Sequence, residues 1–455
     1  MIPSQKHRPM ALSLLVALAA TGSAMAQPLV APPDTAITDP APVPTPGQTI
    51  KPEAKGSTKD FGFTTANPAD RLRPGIYPAQ PVPPAFAVGG VEAGEAPLDW
   101  SVGLRGTYSH TGDTGNYVLR LSPQFTYGLA GTRTDTVLAG GVEIARQSNS
   151  DELTLTAASI GATGTLAIDS VTQATGSIGL GYSRDLPGSP GLASGVIVPP
   201  EIATGSLGLG VTRQFGKFNL GLDGGLDRTV YGATTRSDTG VTDNSDQNRW
   251  SGNTGLRLGY QITPIIEVYG RAELERDVFD QPAAATGIYA NATNHILRAG
   301  VEARWNSIWS ANASIGVGQR VFDAESLGEI TAQLYSANLT YSPNATLRLN
   351  LGLDSTLAPP GADNPGSARI EHALLADAQY IANSWLRLRA SAGVSTSELV
   401  GAATTENRTS LGAGADYLFN SHASLNADYG FTKRDNSANG QTDTHQVSVG
   451  ITISR

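Results

Sequence analysis

From Leu98 onward, apolar and polar residues take turns with a period of two. Leu347, Leu349, Leu351 and Leu353 alternate with Arg348, Asn350, Gly352 and Asp354, and Leu386, Leu388, Ala390 and Ala392 alternate with Arg387, Arg389, Ser391 and Gly393. The chain closes the same way, through Leu425, Ala427, Tyr429 and Phe431, a polar break at Asp435-Asn436-Ser437, and then Val447, Val449, Ile451 and Ile453. Successive side chains of a strand point to opposite faces, so each run predicts a strand with one apolar and one polar face. No helical period of comparable strength occurs. The runs give about eighteen strands, beginning near Leu98, Asn116, Thr134, Glu152, Val171, Thr204, Lys217, Asn248, Pro264, Thr293, Ile308, Glu329, Ala345, Ala368, Ser384, Glu406, Ser421 and Thr444. The runs after Glu152 and Val171 are the most weakly patterned.

The connections alternate too. Very short ones fall at Gly216-Lys217, Thr263-Pro264, Asn306-Ser307, Ser342-Pro343, Ala382-Asn383 and Asn420-Ser421. Between them lie longer hydrophilic segments at 185–203, 231–247, 280–291, 323–327, 356–366, 396–405 and 435–443. Short and long connections on opposite ends, with strands of roughly 10 to 13 residues against the roughly 9 to 11 that span a bilayer, describe an outer-membrane barrel rather than a soluble sandwich. The fold predicted is an all-β, transmembrane, up-and-down antiparallel β-barrel over residues 97–455. Its apolar parity faces lipid and its polar parity the interior. A charge on the lipid side near the midplane costs about 2 to 4 kcal/mol, which keeps charges on the other parity.

The first hundred residues change the picture. Residues 1–26 carry a basic start (Lys6, His7, Arg8), an apolar core from Ala11 to Ala20 and the small-x-small site Ala24-Met25-Ala26, which reads as a secretory signal peptide cleaved after Ala26. Residues 27–96 turn to Pro, Ala, Gly and Thr, a composition unable to bury enough apolar surface to order itself, and read as a disordered periplasmic tether. The net charge of −9 supplies no basic footprint for nucleic acid, and the absence of cysteine leaves no disulfide, lipidated thiol or thiol chemistry.

The stretch "GAGADYLFNSHASLNADYGFTKRDNSANGQTDTHQVSVGITI", Gly412 to Ile453, resembles the end of the outer-membrane β-barrel porin family common in proteobacterial exopolysaccharide loci. It does so in the turn Tyr417 to Asn420, in Lys433-Arg434-Asp435-Asn436-Ser437 and in the closing strand through Val449. A weaker likeness continues upstream through "RDVFDQ" and "GVGQRVFDAESLGEITAQLYSANLTYSPNATLRLNLG". The resemblance implies a pore in the cell outer membrane and, for some members, passage of secreted polysaccharide together with a periplasmic export protein. Outer-membrane barrels commonly finish on an aromatic residue, where this chain has Arg455.

Parity assigns the pore lining: Arg120 on the strand from Asn116, Asp223 on that from Lys217, Arg257 on that from Asn248, and Glu267, Arg271 and Glu273 on that from Pro264. It continues with Arg298 and Glu302, Arg348 and Asp354, then Asp377. Arg387 and Arg389, Arg408 and Asp416, and Asp428 complete it. Arginine and acid nearly balance, which argues against a pore tuned to one sign of ion. Arg387, Arg389 and Arg408 offer a basic ladder for anionic groups. Six further arginines, Arg146, Arg184, Arg228, Arg276, Arg320 and Arg434, fall where ascending strands meet the long connections. The first four are on the lipid parity, in reach of lipopolysaccharide phosphates.

Catalytic signals are weak. His110, His295, His372, His422 and His445 are scattered with no metal-ligand spacing, and neither a Gly-x-Ser-x-Gly elbow nor a phosphate loop is present. "DNSDQN" at 243–248 has oxygen ligands but no defined calcium-loop pattern. The chain is expected to be no enzyme and to need no cofactor or metal. Its expected partners are outer-membrane lipid and lipopolysaccharide, the barrel assembly machinery and a periplasmic polysaccharide-export protein. A general diffusion porin and a non-conducting structural or adhesive barrel are the alternative functions.

Overall fold

Residues Arg249–Thr263 and Ile266–Phe279 show how alternation becomes a wall. They pair antiparallel with Leu256 opposite Ala272 and Arg257 opposite Arg271, so like faces meet. A slip of one residue would turn the arginines into lipid, and this fixes the register.

The computed structural model describes residues 98–455 apart from 113, 149–151, 188–194, 239, 285, 306–307, 361–365, 403 and 438–439. The signal peptide and tether expected at 1–26 and 27–96 lie outside the described residues. In chain order the strands are β1 (Leu98–Thr111), β2 (Thr114–Ala130), β3 (Thr134–Gln147), β4 (Leu153–Ala167), β5 (Thr172–Arg184), β6 (Val196–Val198) and β7 (Glu201–Phe215). Next come β8 (Phe218–Tyr231), β9 (Thr234–Arg236), β10 (Gly240–Thr242), β11 (Arg249–Thr263), β12 (Ile266–Phe279), β13 (Ala292–Trp305) and β14 (Trp309–Phe322). The last are β15 (Glu329–Tyr341), β16 (Leu347–Ala358), β17 (Ala368–Asn383), β18 (Leu386–Val400), β19 (Thr404–Asn420), β20 (Ala423–Asn436) and β21 (Gly440–Ser454).

All except β6, β9 and β10 form one 18-stranded antiparallel sheet, in which each strand pairs with its sequence neighbour and β21 returns to β1. The closing ladder runs from Ser101↔Ser454 to Thr111↔Thr444. Closure gives every strand a partner on both sides, with only the loop ends of β15 and β16 unpaired to each other, and so meets the condition for strands to lie in hydrocarbon. The wall therefore agrees with the strand order read from the alternation, including the weakly patterned β4 and β5.

The apolar parity is outside. Leu104, Leu119, Leu180, Leu209, Leu258, Leu297 and Ile315 are exposed there, as residues solvated by lipid must be in a protein surrounded by nothing else. Around the end with short turns, Trp100, Phe215, Phe218, Tyr260, Trp305, Trp309, Tyr380, Trp385, Tyr417 and Phe419 also face outward and are exposed. Neighbouring rings pack at a tilt, Trp309 on Tyr341 at 4.1 Å and Phe218 on Tyr260 at 5.0 Å between ring centroids. Trp250 faces outward near the other end of the same strand as Tyr260. At about 3.4 Å per residue and a tilt of about 40°, these two rings stand roughly 26 Å apart along the axis, close to the ~25 Å apolar band of outer-membrane barrels. The girdle was readable in the sequence, since aromatic residues sit beside nearly every short turn in the apolar parity.

The long connections are not simple hydrophilic loops. β6, β9 and β10, from the segments after β5 and β8, form a small separate sheet in the order β10-β9-β6. Asn244 donates to the Gly232 carbonyl and to Thr234 Oγ1, both at 2.8 Å. The Ala284 amide donates to Asp246 Oδ2 at 2.9 Å, which ties in the loop after β12. These contacts account for the carboxylates of the "DNSDQN" stretch: Asp243 accepts from the Ser245 amide and hydroxyl and Asp246 from Ala284.

Candidate pore lumen

Eighteen strands spaced about 4.8 Å and tilted about 40° close at a backbone diameter of roughly 36 Å, too wide for side chains to fill. What lines this space decides what the barrel can pass. All sixteen positions assigned to the lining by parity lie on the inward face, and most charges are compensated in place.

One network spans β8 to β13. Arg271 reaches Asp223 with both terminal nitrogens, at 3.0 and 2.9 Å, and Glu273 with Nε at 3.2 Å. Arg257 bridges Glu267 at 2.7 Å and Glu302 at 2.9 Å while lying 4.2 Å from the Tyr269 ring centre. Glu302 also takes Arg304. A second network crosses the seam where the chain closes the barrel. Arg389 holds Asp416 and Asp428, both at 2.8 Å, and Asp428 also meets Arg105 on β1 at 3.4 Å. Arg120 pairs with Glu143 at 3.2 Å, and Asn350 donates to Asp377 at 2.7 Å.

Glycine makes these long reaches possible. A Cβ at Gly255 would lie 2.7 Å from Asp223 Oδ2 and 2.8 Å from Arg271 Nη2, so the pair lies flat across bare backbone of the strand between its two partners. Gly414 does the same beneath Arg389 and Asp428. Inner-face glycines thus let ion pairs form between strands that are not neighbours.

Arg298 is different. It stands directly across from Arg271, in line with Arg257, and folds over Gly316, whose Cβ would sit 2.6 Å from Arg298 Cγ. Its Nε is buried without a hydrogen-bond partner. Arg348, Asp354, Arg387 and Arg408 complete the inner face. The basic ladder expected of Arg387, Arg389 and Arg408 does not form. Arg408 is opposite Ser395, far along β18 from Arg387 and Arg389, and Arg389 is held between two carboxylates.

The rim arginines divide by face. Arg146, Arg184, Arg228 and Arg276 are outside. Arg184 meets Glu201 at 3.2 Å, Arg228 meets Asp280 at 2.5 Å and Arg276 meets Asp323 at 2.5 Å. The arginine hydrogen bonds hold the Asp280 and Asp323 carboxyls below the ordinary aspartate range. Arg320 and Arg434 are inside. Arg320 is fully buried against Asp277 at 2.6 Å and Asn294 at 3.1 Å, and so is no part of an accessible rim. Arg434 pairs with Glu406 at 2.6 Å.

Two segments narrow the loop end from inside, and the alternation gave no sign of either. Directly after β5 the chain turns into the lumen and crosses to β2 and β3. There Leu186 packs on Val118 and Ala145 of the inner face, and Gln147 Nε2 donates to the Pro187 carbonyl at 2.8 Å. Asp185, carried in with it, has its carboxyl pushed up to about 6 by burial, with Arg120 opposing the shift. On the opposite side of the barrel, the loop ends of β16 and β17 pack onto the inner face of β13 to β15.

The profile of the family described as "Putative beta-barrel porin 2" matches residues 106–455. The chain belongs to this family of β-barrel porins. No curated protein matches it. Among solved structures, Pseudomonas aeruginosa OpdK with vanillate is 13% identical, with a TM-score of 0.40 over 79% of this chain and 99% of that one. OccK2 (OpdF) of the same organism, in complex with glucuronate, is 11% identical with a TM-score of 0.41, over 79% and 98%. The siderophore receptor PirA, also from Pseudomonas aeruginosa, is 8% identical with a TM-score of 0.41, over 80% and 81%. Those ligands belong to those proteins. For this chain, the family and the closed barrel place an outer-membrane porin.

Proposed function

We propose that this porin is a water-filled outer-membrane conduit for hydroxyl-rich polymer, a secreted polysaccharide, working with a periplasmic export protein recruited by residues 27–96. The observation that supports it best is the compensated inner face. Arg257, Arg271 and Arg389 are each neutralised by two carboxylates. A wall of paired charges, Asn350, Asn312 and Ser391 offers hydrogen bonds to hydroxyls while setting up little net field for simple ions. Arg298, with no acid paired to it among the described residues, is the point on this wall suited to a carboxylate or other anionic substituent on a passing sugar.

A diffusion porin for small solutes is the second reading, favoured by the two in-folded segments, which reduce the mouth of a barrel otherwise wide enough for a polymer. The strain lacking the protein separates them. Polysaccharide retained in the periplasm with normal small-solute uptake supports the conduit, and impaired uptake with normal surface polysaccharide supports the diffusion porin. If neither changes and the purified barrel does not conduct, the structural reading stands instead.

A further inference from the structure

The ladder between β15 and β16 is incomplete. It runs from Tyr341↔Leu349 to Ser336↔Asp354 and stops. Toward the loop end, β15 continues through Tyr335 to Glu329 paired only to β14, and β16 continues from Ser355 to Ala358 paired only to β17. Two extended strand edges thus diverge inside an otherwise continuous wall, where unpaired backbone is costly.

Apolar packing fills the gap, and it joins faces of opposite kind. Leu357 and Ala368, with Ile370 and Val400 beside them, belong to the outward parity of β16 to β18. Their neighbours in the cluster, Ala292, Phe322, Ala332 and Leu334 with Ile296 and Ile330, belong to the inward parity of β13 to β15. An outer face resting on an inner face means that the loop ends of β16 and β17 have folded into the lumen. Leu334 is fully buried, and Leu357 nearly so. The alternation of β16, through Leu347, Leu349, Leu351, Leu353 and on to Leu357, nevertheless places Leu357 on the lipid side. The same side chain has an apolar environment in either position.

We propose that the described ends of β16 (Ser355–Ala358) and β17 (Ala368–Ile370) form a movable gate with two seated positions, a reading that rests on the barrel being a pore. In the position seen, these two strand ends lie inside and narrow the mouth. In the other, the β15–β16 ladder closes upward in its existing register, bringing Tyr335 opposite Ser355 and Gln333 opposite Leu357. Leu357 and Ile370 then meet lipid and the two strand ends leave the lumen. Closing the ladder gains backbone hydrogen bonds and gives up the burial of Leu334, Phe322 and Ile296, so the two positions offset one another.

The chain has no cysteine, which makes disulfide trapping clean. The pair Leu334→Cys/Leu357→Cys traps the in-folded position and Gln333→Cys/Leu357→Cys the closed ladder; Thr340→Cys/Asn350→Cys, already opposite each other, is the register control. Each is followed in a planar bilayer before and after reduction. The expected result is a small conductance for the first trap, a larger one for the second, and a common value for both after reduction. The gate is overturned if the control cross-links but the Gln333→Cys pair does not, or if both traps conduct alike. If neither trap conducts, even when reduced, the pore reading itself fails. Leu334→Ser needs no cross-link: it weakens the in-folded packing and suits a residue facing water in the closed ladder, so it raises the fraction of time in the larger conductance state. An unchanged fraction overturns the gate.

Discussion

Arg271 and Asp223 form a two-pronged ion pair, 3.0 and 2.9 Å, across the bare backbone of Gly255 on the strand between them. The pair ties β8 to β12 over β11 and removes an arginine charge from the pore. Gly255→Val inserts a side chain where the two groups meet, and Asp223→Ala leaves Arg271 with Glu273 alone. Each should lower barrel stability by about 1 to 3 kcal/mol, the range for a partly buried charged pair that loses one partner. Heat-dependent mobility on gels checks this, as does reversal potential, which should move toward anions for Asp223→Ala.

Side-chain parity makes a sharper contrast. Leu349→Arg and Leu388→Arg place charge in lipid and should impair assembly by about 2 to 4 kcal/mol each. Asn350→Arg and Ser391→Arg face the lumen and should assemble normally. Folded fraction in the outer membrane is the readout.

Ends of the barrel are tested by labelling. Cysteines at Ser237 and Ala284, on the interlocked long connections, should react on intact cells with an impermeant reagent. Cysteines at Gly216 and Ser342, at short turns, should react only after the outer membrane is breached.

The segment after β5 should respond to pH through Asp185. Its docked-state value of about 6 exceeds the ordinary 3.8 because burial penalises the carboxylate, with Arg120, itself paired to Glu143, opposing. An acid raised on docking favours the docked form below the undocked value, and that advantage is lost as pH rises through about 6. Docking should therefore tighten by on the order of 2 kcal/mol between neutral pH and pH 4, seen as less frequent conductance fluctuations. Asp185→Asn should abolish that dependence.

The wall was legible because a membrane enforces alternation residue by residue. A polar side chain misplaced by one position meets hydrocarbon, so Leu349 and Asn350 carry their faces in their chemistry. Pairing partners were less legible, because register brings together residues distant in sequence: nothing local in Asp428 announces Arg105 on the first strand. The in-folded segments were not legible at all. Leu186 sits in a polar connection, and Leu357 continues a lipid-facing series, yet both pack on the inner wall. The destination of a loop is set by the surface opposite it, and that surface exists only once the barrel has closed. Arg320 was misplaced for the same reason, since the neighbours that bury it arrive from β12 and β13.

Single-channel recording of the purified barrel in a planar bilayer tests the central claim most directly. A water-filled lumen lined by compensated charge should give discrete conductance steps, with a reversal potential near zero in a salt gradient. Arg298→Glu should move that potential toward cation preference. A barrel that inserts but stays electrically silent under all voltages, or one strongly selective for one sign of ion and unaffected by Arg298→Glu, would contradict it.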